Sequence, residues 1–266
     1  MLVEDSVANQ MVVSSIVEAC GCEVSIASDG TQAIEKVMAH EFDMIFMDLS
    51  MPGMDGTEVT RQIRSKGGWY ADVPIVAMTA NVFKDDQERC FAAGMNDFIG
   101  KPIEATHVRA KLRQWLTQNN GEEDEEVVNS DLAETMAANA NAVWIDDKVL
   151  EELERETSAE LVKIVIGVFI NETKGRLHVL RDLNGGPLEE IINASHALKS
   201  SSGTFGASQL CEAARRVEDA ARAGRDQDAQ SMIASLLVIG DETMDRYVQR
   251  FGEPEAAVDV AGEGCE

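Results

Sequence analysis

Long apolar runs are missing from this 266-residue sequence, none approaching the roughly 18 to 20 residues that span a bilayer. Its N-terminus lacks the basic segment followed by an apolar one that marks a leader peptide. The reading is of a protein handled in the cytoplasm, or tethered to a membrane only as part of a longer sensor. Basic residues are scarce: 23 Lys plus Arg stand against 48 Asp plus Glu, a net charge of −25. Such a surplus repels nucleic acids and anionic lipid, so a non-specific nucleic-acid binder is excluded, and no basic recognition helix is present. Cysteine is limited to five residues, with no C-x-x-C pair and no Cys/His ligand spacing, which points to reduced thiols rather than disulfides or zinc. Cys20 and Cys22 read as packing residues beside a turn. There is no Gly-rich nucleotide lid and no Walker loop, so the chain should not use ATP itself. Gly262-Glu263-Gly264 has no strand before it and no helix after it, and reads as a loose tail.

The length suggests two domains, each able to bury a core. Charge and composition divide the chain in four. Residues 1–118 carry 10 basic and 17 acidic groups, 119–143 carry 0 and 7, 144–252 carry 13 and 19, and 253–266 carry 0 and 5. The second and fourth stretches have no basic residue and no aromatic, and cannot bury enough apolar surface to offset chain entropy. They are expected to be a flexible acidic linker and a disordered tail.

The first segment alternates two periods. Short β-rich runs at Val24–Ile26, Asp43–Asp48, Pro74–Thr79 and Asp97–Ile99 are separated by stretches long enough for helices. This is an α/β pattern with a parallel sheet, in which the ligand site lies beyond the carboxyl ends of the strands. The third segment has no strand alternation. Its Leu, Ile, Val and Phe residues recur at helical spacing, giving helices near 146–156, 158–182, 188–204, 208–223 and 226–250. An antiparallel helical bundle is expected.

Reading off the strand ends gives Glu4 and Asp5 after the first apolar residues, Asp48 closing DMIFMD, Thr79 closing PIVAMT and Lys101 after DFIG. Any one of these acids alone would be a helix cap or a solvated loop residue. Three together resist ionisation unless a cation sits among them, and a hard divalent ion such as Mg²⁺ takes oxygen ligands of this kind. The strings VEDSVANQ, MDLSMPGMDG, MTAN and GMNDFIGKP resemble the signature of a response-regulator receiver domain, especially the type fused to hybrid histidine kinases. The resemblance covers residues 1–118 and implies a flavodoxin-like fold with a parallel five-stranded sheet. By it, Asp48 is the phosphoacceptor and Asp5 a direct Mg²⁺ ligand. Glu4 acts largely through water, the Ser50 carbonyl completes the ligands, and Thr79 and Lys101 grip phosphoryl oxygens. It also makes Phe98 an aromatic switch, against a half-buried strand aromatic, and the Lys101–Pro102 bond cis. Only Met1, Leu2 and Val3 precede the acidic pair, so the first strand is expected to be truncated and the chain to be a fragment of a longer hybrid kinase.

Of four histidines, His40, His107 and His178 have no supporting pattern. His196 differs. At 100° per residue, Leu188, Ile191, Ser195, Leu198 and Ser202 form a buried stripe, while His196, Lys199, Ser200 and Gly203 fall outside it. The imidazole is expected to face solvent, with Lys199 one turn away to offset charge on a transferred group and Gly203 leaving room for a partner's backbone. The string HALKSSSGTFGA resembles a histidine phosphotransfer domain over residues 144–252, which implies that His196 carries a phosphoryl group.

The two resemblances imply a phosphorelay. An upstream histidine kinase phosphorylates Asp48, the group passes to His196, and His196 donates it to a downstream response regulator. A 25-residue linker reaches roughly 25 to 30 Å, which allows docking within one chain. Two other readings stay open on sequence alone: a phosphorylation-switched binding module, and a phosphate sink in which flow runs backward to Asp48.

Overall fold

Alternation of period two in the apolar runs builds the sheet. The computed structural model describes residues 1–79, 84–116, 143–183 and 186–254. Apart from Val143, Glu253 and Pro254, the expected linker and tail lie outside these. Five parallel strands, β1 (Leu2–Val3), β2 (Ile26–Ala27), β3 (Ile45–Asp48), β4 (Ile75–Thr79) and β5 (Asp97–Gly100), pair in the order β2-β1-β3-β4-β5. Ile45, Met47, Ile75 and Ala77 pack on one face, and Phe46, Val76 and Met78 on the other. Side chains on a strand alternate between faces, so each buried strand serves both cores. β1 is two residues long, the short first strand expected. β2 begins two residues later than expected, because its pairing is set by β1: Leu2 lies opposite Ile26 and Val3 opposite Ala27.

Helices α1 (Val7–Ala19), α2 (Gly30–Ala39), α3 (Gly56–Arg64), α4 (Trp69–Asp72), α5 (Lys84–Ala93) and α6 (Ala105–Leu116) complete the first unit. Ser6, Asp29 and Asp55 cap α1, α2 and α3, their side chains accepting from the N–H groups of Asn9, Gln32 and Glu58. Such caps satisfy donors that a helix start leaves orphaned.

The second unit is helical: α7 (Asp147–Glu156), α8 (Ala159–Asp182), α9 (Leu188–Thr204), α10 (Ser208–Arg222) and α11 (Asp226–Phe251). These bounds fall within a residue of the five helices expected. α9 packs on α10, α10 on α11, and α11 on α8. Phe169, Phe205 and Tyr247 are fully buried at the centre, with ring centroids 4.8 and 5.4 Å from Phe169 to the other two. The Tyr247 hydroxyl donates to the Phe205 carbonyl at 2.6 Å, which satisfies its polar end inside the core. α8 and α11 meet where α11 has no side chain: a Cβ on Gly240 would lie 2.6 Å from Leu177.

The units are not separate beads. α1 packs against α8 and α9, and apolar residues of the α1–α6 side of the sheet form one continuous buried cluster with the bundle. α1 is buried around most of its circumference, including Ala8, Val12, Val13, Ile16 and Val17. Among the described residues no helix is long and apolar enough to cross a membrane.

Candidate functional site

Strand register gathers the acids. Val3 lies opposite Met47, so Glu4 follows onto the edge where Asp48 ends β3, and Thr79 lies opposite Gly100, which puts Lys101 beside it. This edge is where strand order reverses around β1, the place where open α/β sheets bind ligands. Gly56 is required here, because a Cβ at that position would lie 2.2 Å from the Asp48 carbonyl oxygen.

The Lys101 ammonium donates to Glu4 Oε2 and Asp48 Oδ2, each at 2.7 Å, with 2% of its side chain exposed. Asn9 Nδ2 donates to Glu4 Oε1 at 2.9 Å, and the Ser50 N–H donates to Asp48 Oδ1 at 3.1 Å. Glu4, Asp5 and Asp48 each offer an oxygen, all within 4.8 Å of one another. Burial, with the charges of Glu4 and Asp5 behind it, pushes the Asp48 carboxyl up to about 8 against the pull of Lys101. Burial also acts against ionisation of Glu4, but Lys101 wins there and holds it below the ordinary glutamate range. Asp5 is raised by burial and by Glu4, with Arg176 and Lys101 opposing. The Lys101 ammonium and the Arg176 guanidinium thus do not balance three carboxylates. An all-oxygen donor set carrying excess negative charge fits a hard divalent cation.

The bundle presents a second cluster. His196, on α9, is buried, 6% exposed, and this overturns the expectation of a solvent-facing imidazole. Lys199 and Ser200 are buried too, and Gly203 is half-buried. The physical reason is that a helix between two partners has no free side. The face opposite its core stripe meets α10 and the first unit, which a 100° wheel drawn for one helix cannot register. Gly203 faces α10, where an added Cβ would make an ordinary 3.8 Å contact with Cys211, rather than a partner's backbone.

The group that sequence reasoning missed is Glu218. It is 1% exposed on α10, 2.8 Å from His196 Nδ1 through Oε1 and 2.6 Å from the Lys199 ammonium through Oε2, and it accepts from Arg222 Nε at 2.8 Å. Burial alone would raise its carboxyl, but His196 and Lys199 outweigh that and hold it down at about 2. The signal was available: Glu218 is the charged residue in a stripe that otherwise reads Leu210, Ala214, Val217 and Ala221. A permanent carboxylate at Nδ1 fixes the tautomer with Nδ1 protonated, leaving the lone pair on Nε2. Burial lowers the imidazole pKa, with Lys199 and Lys101 acting the same way against Glu218, so the ring is neutral at physiological pH.

A cavity of about 810 Å³ lies between the two units, lined by Asp5, Ser50 and Thr79 from the first and by Asn193, His196 and Arg222 from the bundle. Of the residues expected from sequence, Glu4, Asp5, Asp48, Ser50, Thr79 and Lys101 lie at one sheet edge, and His196 lies across this cavity from it, with Lys199 joined to His196 through Glu218. Phe98 is half-buried, edge-on to Phe91 at 6.3 Å, and Lys101–Pro102 is cis.

Comparison with known proteins agrees with this division. Residues 1–113 match the response regulator receiver domain and residues 165–252 match the Hpt domain. The chain is therefore a receiver domain followed by a histidine phosphotransfer domain. It is 38% identical over 125 residues to hybrid signal transduction histidine kinase L of Dictyostelium discoideum, covering 45% of this chain and 7% of that protein. It is 27% identical over 220 residues to the aerobic respiration control sensor protein ArcB of Escherichia coli K12, covering 82% of this chain and 27% of that one. The chain thus spans about a quarter or less of these relatives. A solved receiver domain of a Pseudomonas aeruginosa PAO1 sensor histidine kinase, with magnesium in its active site cleft, is 37% identical with a TM-score of 0.41. It matches 44% of this chain and 94% of that one.

Proposed function

We propose that Asp48 accepts a phosphoryl group from a histidine kinase and that His196 takes it from Asp48 and passes it to the receiver of a separate response regulator. The observation that carries this reading is that one cavity is lined on one unit by Asp5, Ser50 and Thr79, at the sheet edge that holds Asp48 and Lys101, and on the other by His196, whose imidazole is bound by a carboxylate. A carboxylate oxygen of Asp48 attacks phosphorus in line, the P–N bond of the donor phosphohistidine breaks, and an acyl phosphate forms. Lys101 neutralises charge on the phosphoryl oxygens and the Thr79 hydroxyl donates to one of them. In the second step Nε2 of His196 attacks the same phosphorus, the P–O bond to Asp48 breaks, and the carboxylate is restored. The proton stays on Nδ1, where the Glu218 carboxylate stabilises the positive ring that results, as a carboxylate does for the imidazolium of a hydrolase triad. Lys199 holds Glu218 in place and supplies positive charge beside the incoming group.

Glu4, Asp5 and Asp48, with the Ser50 carbonyl, would hold Mg²⁺, which when bound screens the equatorial oxygens as phosphorus is transferred. The domains in this reading are 1–118 and 144–252, joined by 119–143, and they act in the cytoplasm.

The test is transfer of labelled phosphate from a kinase to the full chain. With His196→Gln the chain keeps an alkali-labile acyl phosphate on Asp48 and loses the acid-labile, alkali-stable phosphohistidine. With Asp48→Asn it loses both. Phosphohistidine that persists in the Asp48→Asn chain would overturn the order of transfer.

A further inference from the structure

The relay makes no use of two residues, Glu172 and Arg176, that join the units beside the acid cluster. Arg176, on α8, places Nη2 3.4 Å from Asp5 Oδ2 and Nη1 3.3 Å from the Ser201 hydroxyl. One turn earlier, Glu172 accepts the Val7 N–H on Oε1 at 2.7 Å and the Ser6 hydroxyl on Oε2 at 2.8 Å. Both side chains are 18% exposed, and they lie 3.9 Å apart. Two residues of one helix therefore grip three consecutive residues, Asp5, Ser6 and Val7, at the entrance to α1. The first of the three belongs to the acid cluster.

We propose that Arg176 couples docking of the bundle to divalent-cation binding at Glu4, Asp5 and Asp48, and that the two oppose each other. This rests on reading that cluster as a Mg²⁺ site. A guanidinium and a dication that both draw on the Asp5 carboxylate repel at short range in a poorly solvated pocket, so each lowers the other's affinity. Coupling is reciprocal: whatever docking costs the ion, the ion costs docking by the same factor. Glu172 touches Ser6 and Val7 and no residue of the acid cluster, so its contacts enter through docking, while its charge acts on Asp5 in the opposite sense by favouring a cation. Its contacts fix where Arg176 can reach. The consequence for a relay is that metal loading of the receiver and retention of its own bundle are set against each other, which leaves the loaded receiver face more open to an outside partner.

The experiment is titration of MgCl₂ into the full chain by calorimetry, for wild type, Arg176→Gln, Glu172→Gln and Arg225→Gln. Arg225 is an exposed residue at the start of α11, and its change removes the same charge away from the site. Arg176→Gln is expected to tighten Mg²⁺ binding about fivefold or more, the lower end of usual site-to-site couplings. Glu172→Gln is expected to tighten it as well, by freeing α1 from the bundle, whereas simple loss of a nearby negative charge would weaken it. Arg225→Gln should leave it unchanged. Binding to Arg176→Gln equal to wild type, or weaker binding to Glu172→Gln, overturns the coupling while the metal site stands. No Mg²⁺ binding by wild type overturns the metal site and the coupling with it. If Arg176→Gln fails to fold, Arg176→Lys carries the test: it keeps the charge and loses the two-pronged reach to Asp5 and Ser201, and at least twofold tightening is expected, no change being the refuting result.

Discussion

Each unit of the chain is built around a knot of lysine and carboxylate, and the two knots carry opposite surpluses. On the receiver, Lys101 faces Glu4, Asp5 and Asp48. On the bundle, Glu218 faces His196, Lys199 and Arg222. The first has too little positive charge, so the Asp48 carboxyl is pushed up and the cluster suits an added cation. The second has enough positive charge to hold Glu218 ionised at any ordinary pH, and Glu218 fixes the Nδ1 proton of an imidazole whose pKa burial lowers. An anionic group moving between them leaves acids for bases. In the proposed relay the contrast means that the two nucleophiles are prepared in different ways: the oxygen one by the divalent cation that its surplus of carboxylates suits, the nitrogen one by the Glu218 carboxylate.

Breaking the receiver knot should give the largest effect. Lys101→Met leaves two buried carboxylates without their partner, which typically costs about 3 to 5 kcal/mol when one member of a buried pair is removed. The loss is expected in urea unfolding of the full chain. Removing the ammonium from the phosphoryl oxygens should slow labelling of Asp48 by roughly 10² to 10³, the usual cost of deleting one preorganised charge donor.

The bundle knot is best probed by acid. Glu218 has its carboxyl depressed from 4.5 to about 2 on folding. A depressed carboxyl contributes stability that is present above its unfolded pKa and is lost as pH falls through the folded one. The bundle should therefore weaken between about pH 4.5 and 2, by about 3 kcal/mol for a shift of this size. Glu218→Gln should flatten that limb in acid unfolding followed by circular dichroism. The same variant removes the group that raises the His196 pKa, so an NMR titration should find the imidazole pKa lower still. Transfer from Asp48 should slow by roughly 10- to 100-fold, because the positive ring loses its counter-charge.

Two glycines sharpen the comparison at smaller cost. Gly56→Ala drives a methyl to 2.2 Å from the Asp48 carbonyl, so β3 or α3 must move, at about 1 to 3 kcal/mol. That displacement should appear as slower labelling of Asp48 as well as a lower Tm. Gly203→Ala adds a methyl in ordinary contact with Cys211, within helical backbone. A stability gain of up to about 1 kcal/mol is expected from reduced freedom of the unfolded chain, with transfer unchanged. A clear loss of transfer there would restore Gly203 to the role of docking surface.

How far the fold was legible follows from how local each signal is. The five bundle helices could be bounded to within a residue because apolar spacing and turn residues are near-neighbour properties. Strand ends were legible at Asp48 and Thr79, where a polar residue closes an apolar run. β2 was displaced by two residues because a short strand takes its register from the strand it pairs with. The acids and Lys101 could be grouped by asking where parallel strands stop. Glu218 escaped because it lies 22 residues from His196 on the next helix, and nothing in a single helix's pattern says which residue of its neighbour it will meet.

The sequence by itself determined that there are two units, one alternating strand and helix and one all helical, since periodicity and charge depend only on residues close along the chain. It also determined that one strand edge carries three acids and a lysine. Only the tertiary structure decided that His196 is buried rather than bare, that Glu218 holds it, and that Glu172 and Arg176 seize the start of α1. Those facts depend on which face of one element meets which face of another, and packing of apolar surface between distant parts of the chain sets that choice.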